Sequence, residues 1–278
     1  MTRLTSFADG TAVPILGQGT WELGDSPGTR DAEMRALSRG LDLGMTVVDT
    51  AEIYGNGQSE RLVGEVIAGR RDEVFLVSKV KPDNASEMKM MLACEKSLER
   101  LGTDRLDLYL LHWESRFPLE ETVAAFEELV DEGMIRRWGV SNLDIRAMRK
   151  LMKIEGGDQC AANQVLYHPG SRGIEFDLLP WCNARDMPVM AYSPLGRGRL
   201  LDEPVLKQIA DRHDATPAQI ALAMVLRQEG IIAIPKASTV AHVELNAAAL
   251  EIRLDDEDIA ALDRAFPPPT SEQPLDVI

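Results

Sequence analysis

The sequence predicts an α/β chain folded as a single (β/α)8 TIM barrel with an N-terminal β-hairpin, and three observations carry that expectation. Eight short apolar runs of strand length recur along the chain: "ILGQGTW", "MTVVD", "VFLVSKV", "LDLYLLHW", "IRRWGVSN", "CAANQV", "PVMAYSP" and "IIAIPK". Between them lie segments with apolar residues three and four apart, such as "SEMKMMLACEKSLERLG" and "LEETVAAFEELVDEGM", the period of amphipathic helices that end near glycine. No Ser-, Gly- or Pro-rich linker interrupts the alternation, so residues 1–278 read as one domain. Length alone also allows two smaller domains, but α/β barrels reach this size as single units. An open doubly wound sheet would carry Gly-x-Gly-x-x-Gly between a strand and a helix near its start, and that fingerprint is missing.

In chain order, "LTSFADGTAVP" comes first, with Asp9-Gly10 between two short alternating runs, the signal for the hairpin. The first barrel strand leads into a polar loop at Trp21. The second ends at Asp49, and Tyr54 follows just before Gly55. The third closes on Lys79 and the fourth on His112, with Trp113 beside it. In a barrel of this kind the C-terminal strand ends face one mouth, so polar groups there need a reason. Alone, Asp49 reads as a helix cap or turn former, Lys79 as a side chain reaching water, and His112 as a packing residue. Together they converge. An ammonium near a phenol favours the phenolate and so eases release of the Tyr54 proton, which otherwise leaves at a pKa of about 10. A carboxylate at Asp49 would hold the buried Lys79 charged and oriented, and His112 offers a hydrogen bond to a carbonyl oxygen. The set is an acid aimed at an oxygen.

Composition excludes several classes of function. A net charge of −15 repels nucleic-acid phosphates and anionic lipid, so neither nucleic acid nor membrane is an expected partner. Met1 is not followed by a signal-peptide pattern, and no apolar stretch has the length of a membrane helix, which makes the cytoplasm the expected location. Cys94, Cys160 and Cys182 are odd in number and far apart, which suits buried thiols rather than disulfides or zinc ligands. His168 and His213 show no metal-ligand spacing, so no metal is expected. Trp138 and Trp181 are assigned to packing.

Over nearly its whole length the chain resembles the aldo-keto reductase superfamily, and its bacterial methylglyoxal reductases in particular. The resemblance rests on "DTAEIYGNGQSE", "VSKV", "LDLYLLHW", "IRRWGVSN", "NQVLYHP", "AYSPLGRGRL" and "IPKAS", in that order. It implies that Tyr54 is the proton donor, assisted by Asp49, Lys79 and His112. It also implies NADPH lying extended across the barrel mouth, with NADH as a possible substitute. By the same resemblance Ser141, Asn142 and Gln164 hold the carboxamide, and the Tyr192 ring stacks on the nicotinamide. The loop "SPLGRGRL", with Ser193, Leu195 and Gly196, then approaches the pyrophosphate, with Arg197 and Arg199 as charge partners, while Lys236, Ser238, His242 and Asn246 face the adenosine end. His242 stands where many members carry an arginine for the 2′-phosphate, which implies weaker discrimination against NADH.

Trp21 and Trp113 match the aromatic walls of the substrate pocket, and the short tail after Phe266 implies an open one. The expected activity is NADPH-dependent reduction of small aldehydes and α-dicarbonyls, methylglyoxal among them, by a monomer. A sugar-acid (diketogluconate-type) reductase is the enzymatic alternative. A cofactor-sensing subunit acting through a protein partner, like the β subunits of potassium channels, is the other.

Overall fold

A computed structural model describes residues 3–278. The hairpin forms as expected: β1 (Leu4–Ser6) pairs antiparallel with β2 (Ala12–Pro14), and Gly10 takes the left-handed conformation in the turn. The Asp9 carboxylate accepts from the Thr11 N–H and pairs with Arg137, which ties the turn to the barrel floor.

Eight parallel strands follow in sequential order: β3 (Gln18–Gly19), β4 (Val47–Asp49), β5 (Phe75–Val80), β6 (Leu108–Leu111), β7 (Trp138–Ser141), β8 (Asn163–Leu166), β9 (Val189–Tyr192) and β10 (Ile231–Ile234). Seven of the eight apolar runs contain one of them whole, and β8 extends one residue beyond its run, to Leu166. Single bridges, Leu16 with Ala233 and Gly19 with Lys236, join β10 back to the first strand and close the barrel. Close approach there depends on glycine: a Cβ on Gly17 would stand 2.6 Å from the Val47 carbonyl oxygen, and one on Gly19 2.7 Å from that of Ile234.

Helices α1 (Arg30–Asp42), α2 (Gln58–Ile67), α3 (Glu87–Leu101), α4 (Leu119–Asp131), α5 (Ile145–Leu151) and α6 (Leu178–Asn183) alternate with the strands. Two more, α7 (Pro204–Arg212) and α8 (Pro217–Leu226), separate β9 from β10, and α9 (Val240–Ala248) and α10 (Asp256–Ala265) follow. Among the described residues, no helix is long and apolar enough to cross a membrane. The Thr216 hydroxyl accepts from the Gln219 N–H while the Gln219 side chain reaches back to the Thr216 N–H, a reciprocal cap that fixes the start of α8.

Strand periodicity decides what the barrel interior contains. Val47, Phe75, Val77, Leu108, Leu110, Ala162, Met190, Ile232 and Ile234 pack together inside, and Phe7 and Val13 of the hairpin plug the bottom. Val48, Leu76, Val80, Tyr109, Val140 and Val165, one residue out of step, pack outward against the helices. Successive strand side chains alternate between faces. Two residues beyond the last inward apolar side chain, therefore, the same interior columns continue as Asp49, Lys79, His112, Ser141, Gln164 and Tyr192. The three cysteines are free and buried in the outer layer.

Candidate active site

Lys79 organises the barrel mouth. It is fully buried, and its ammonium donates to Asp49 Oδ2 at 2.7 Å, to the Thr50 carbonyl at 2.9 Å and to the Tyr54 hydroxyl at 3.3 Å. Those three acceptors account for its three N–H groups. Burial alone would push the lysine pKa down. The Asp49 carboxylate and the Tyr54 phenol outweigh it, so the pKa rises above the ordinary lysine value and the group is charged.

Tyr54 reaches this position through an unusual turn. Gly55, Asn56 and Gly57 all adopt left-handed dihedrals before α2 begins, a conformation that glycine and asparagine take more readily than other residues. The turn returns the chain toward the barrel axis directly after β4. The phenol is under two opposing influences. Burial raises its pKa above the ordinary tyrosine value, and the pull of Lys79 in the other direction only partly offsets this. In this structure Tyr54 is therefore a neutral proton carrier beside a cation, rather than one tipped toward phenolate.

The His112 ring meets the Tyr54 ring edge-on, with centroids 5.8 Å apart, and leans on Trp113. Burial, then the neighbouring Lys79 charge, lowers its pKa to about 3. The imidazole is thus neutral, and its Nδ1 is buried without a hydrogen-bond partner. A neutral imidazole still has one N–H to donate.

Asp49 has a second partner that the sequence did not reveal. Its Oδ1 accepts from Gln164 Nε2 at 2.7 Å, while Ser141 Oγ donates to the Gln164 backbone carbonyl. The next residue, Asn142, is left-handed at φ 61°, and its amide donates to the His112 carbonyl and to Ser141 Oγ. Its Oδ1 accepts from the Tyr192 hydroxyl at 2.9 Å. The amide and aromatic groups expected at a cofactor ring thus form one wall, bonded to the Tyr54 cluster. A non-glycine residue in that conformation is locally strained and persists because its surroundings hold it.

A cavity of about 350 Å³ opens over this cluster, lined by Trp21, Tyr54, His112, Trp113, Gln164 and Tyr192 among others. Trp21 and Trp113 are 39% and 44% exposed, so they form walls and are not core residues. Ile53 and Ile278 also line the cavity. Ile278 reaches the cavity because the tail after Phe266 folds back, held by Arg146 to Glu272 and by Ser171 to Asp276.

Other expected residues spread outward from this centre. Ser193 lines the cavity and, with Gly196, Arg197 and Arg199, a neighbouring groove, whereas Leu195 is half-buried and packs against the core. The Arg197 guanidinium lies over the Trp21 ring at 4.4 Å, an attractive arrangement. Lys236 stands at the rim, 3.8 Å from the Glu22 carboxylate. Ser238, His242 and Asn246 lie beyond the cavity wall, Ser238 just before α9, His242 exposed in its first turn and Asn246 buried toward its end. Trp138 stacks on Phe126 inside the protein and Trp181 supports Arg185. Among the described residues, no three His, Cys, Asp or Glu side chains are placed to hold a metal ion.

A closed (β/α)8 barrel presenting a phenol, an ammonium, a carboxylate and a neutral imidazole at its C-terminal mouth defines an oxidoreductase of the carbonyl-reducing class. The family model described as "Aldo/keto reductase family" matches residues 15–266, and the chain belongs to that family. It is 52% identical over 281 residues to methylglyoxal reductase YeaE of Escherichia coli K12, covering 99% of each chain. It is 33% identical to a glyoxal reductase of Bacillus subtilis, covering 92% of this chain and 90% of the relative. Among solved structures, an aldo/keto reductase from Klebsiella pneumoniae in complex with NADP and acetate superimposes with a TM-score of 0.97, at 50% identity and full coverage of both chains.

Proposed function

We propose that the protein reduces small aldehydes and α-dicarbonyls, methylglyoxal among them, to alcohols with NADPH, and that Tyr54 supplies the proton. The observation that carries this reading is the Tyr54 hydroxyl at 3.3 Å from an ammonium that is itself anchored 2.7 Å from Asp49, with Tyr54 and Asp49 lining the cavity and Lys79 buried behind them. The resemblance to methylglyoxal and glyoxal reductases supports the substrate class, and the NADP-bound relative supports the cofactor.

The residues at the mouth fit a nicotinamide. Gln164 directs its amide nitrogen at Asp49, which leaves its amide oxygen to accept from a carboxamide. Tyr192 is half-buried at the wall with its hydroxyl pinned by Asn142, so the ring is positioned as a planar face. A reduced nicotinamide bound there supplies the hydride that the chain itself lacks.

The remaining chemistry belongs to the protein. Tyr54 and neutral His112 face the place where a carbonyl oxygen gains charge, and two preset donors stabilise that oxyanion better than water does. Lys79 remains charged in the buried site and compensates the phenolate left when Tyr54 gives up its proton. Trp21, Trp113 and Ile53 exclude water and leave room for a small substrate.

The protein acts in this reading as one catalytic unit, a monomer in the cytoplasm. NADPH oxidation measured across a carbonyl panel tests it: small aldehydes and α-dicarbonyls should exceed large ketones in kcat/KM, and the reverse ranking would defeat the substrate class. A second reading, reduction of a keto sugar acid, is favoured by the cationic Arg197 at the cavity wall. The same panel separates the two. His242 in place of an arginine predicts that NADPH and NADH dissociation constants lie within about tenfold of each other, because a histidine cannot reproduce a bidentate guanidinium on phosphate.

A further inference from the structure

Two side chains at the start of α2 are polar, fully buried and adjacent: Ser59 and Glu60. They follow, after Gln58, the left-handed Gly55-Asn56-Gly57 turn that carries Tyr54. Glu60 turns outward from the barrel axis, away from the cavity. One carboxylate oxygen accepts from Ser78 Oγ at 2.6 Å, and the other accepts from Arg100 Nε at 2.6 Å. Ser78 immediately precedes Lys79 in β5. Arg100 comes from the end of α3, where its guanidinium also donates to Ser97.

The Arg100 side chain reaches Glu60 by crossing the turn itself. A Cβ on Gly57 would stand 2.5 Å from Arg100 Cδ and 2.7 Å from Nε, so the arginine lies directly against the backbone of that glycine. The neighbouring Ser59 hydroxyl donates to the Thr20 carbonyl at 2.9 Å, and it lies 3.1 Å from the Thr50 hydroxyl. Thr50 is the residue whose carbonyl accepts from Lys79. Both ends of the Tyr54–Lys79 contact are therefore tied to one buried polar brace. An ion pair taken out of water is retained only when its geometry and remaining hydrogen bonds are satisfied, and both Glu60 oxygens are.

We infer that Glu60 and Arg100 are positioning residues for proton transfer: by clamping the Gly57 backbone against α3 and β5, they hold the Tyr54 hydroxyl beside Lys79. The inference rests on the role proposed for Tyr54. Neither side chain touches the cavity, so neither is assigned to the chemistry or to ligand contact.

Arg100→Ala, Arg100→Lys and Ser78→Ala in the full chain test it with two readouts. In 3-fluorotyrosine-labelled protein the fluorine resonance lost in Tyr54→Phe is that of Tyr54, and it reports the geometry of the turn without any turnover. For Arg100→Ala this resonance should shift and broaden, and kcat should fall about 10- to 100-fold, the scale of a misplacement near 1 Å, while the NADPH dissociation constant changes less than about threefold. Arg100→Lys keeps a cation without the planar fork and should recover part of the loss. Ser78→Ala removes one hydroxyl, and it decides the matter if Arg100→Ala does not fold; its kcat should fall in the same direction, about threefold. Variants that melt at lower temperature but keep the wild-type Tyr54 resonance and kcat would overturn the inference. A wild-type protein that turns over no small carbonyl would instead defeat the functional reading, and the fluorine readout would still decide the positioning.

Discussion

At the scale of residues, the ammonium of Lys79 is matched by three acceptors in a site closed to water. Removing one member of such a buried pair leaves an uncompensated charge. Lys79→Met should therefore lower stability by about 3–5 kcal/mol in denaturant titrations, because Asp49 is left behind. Tyr54→Phe, which removes only a neutral acceptor, should cost about 1 kcal/mol or less. His112 contributes through its unprotonated form. Its pKa is lowered to about 3 in the folded state, so between the unfolded value near 6.5 and about 3 the unfolded chain binds more protons. Stability should therefore fall as pH drops through that window and be unaffected by His112 above it. A His112→Asn variant should show a shallower acid limb, by at most about 5 kcal/mol. The four members of this cluster were legible in the sequence because Asp49, Lys79 and His112 stand at the ends of apolar strands and Tyr54 follows in the glycine-bearing turn beyond the second. The net rise of the Tyr54 pKa was not, since it depends on how deeply the phenol is buried. Nor was the Gln164 contact to Asp49, which joins residues 115 positions apart.

At the scale of elements, the period of two along each strand explains both the fold and the placement of the site. The eight apolar runs all became strands, although the first is reduced to Gln18–Gly19 and completes its pairing through single bridges. Its glycines allow that close approach and shorten the regular segment. The brace at Ser59 and Glu60 escaped the sequence reading because polar residues at a helix start ordinarily read as a capped, solvated turn. The doubled helix between β9 and β10 was equally hidden, as α7 and α8 lie in one long stretch without a strand. The reciprocal cap at Thr216 sets the start of α8, whose side chains are buried almost all round. Thr216→Ala should cost about 1 kcal/mol in thermal melts while leaving kcat unchanged, since neither Thr216 nor any residue of α8 lines the cavity.

At the scale of the whole molecule, the strand ends supply the floor of the cavity and the loops supply its rim. The tail is part of that rim through Ile278. Composition places no constraint on where an irregular segment folds back, and the two anchoring contacts, at Glu272 and Asp276, are long-range. Asp276→Ala should release the tail near Ile278 and raise the KM for small carbonyls about two- to fivefold with little change in kcat, as expected when an enclosing segment loosens. The barrel's interior columns, the left-handed turn and the buried lysine together present Tyr54 as an acid at the mouth. The most direct test is NADPH oxidation in the presence of methylglyoxal, measured for the wild-type chain and Tyr54→Phe with NADPH binding titrated in parallel. The account predicts turnover in the wild type, and a loss of about 100-fold or more in the variant with NADPH affinity retained; a variant that reduces methylglyoxal at the wild-type rate would contradict it.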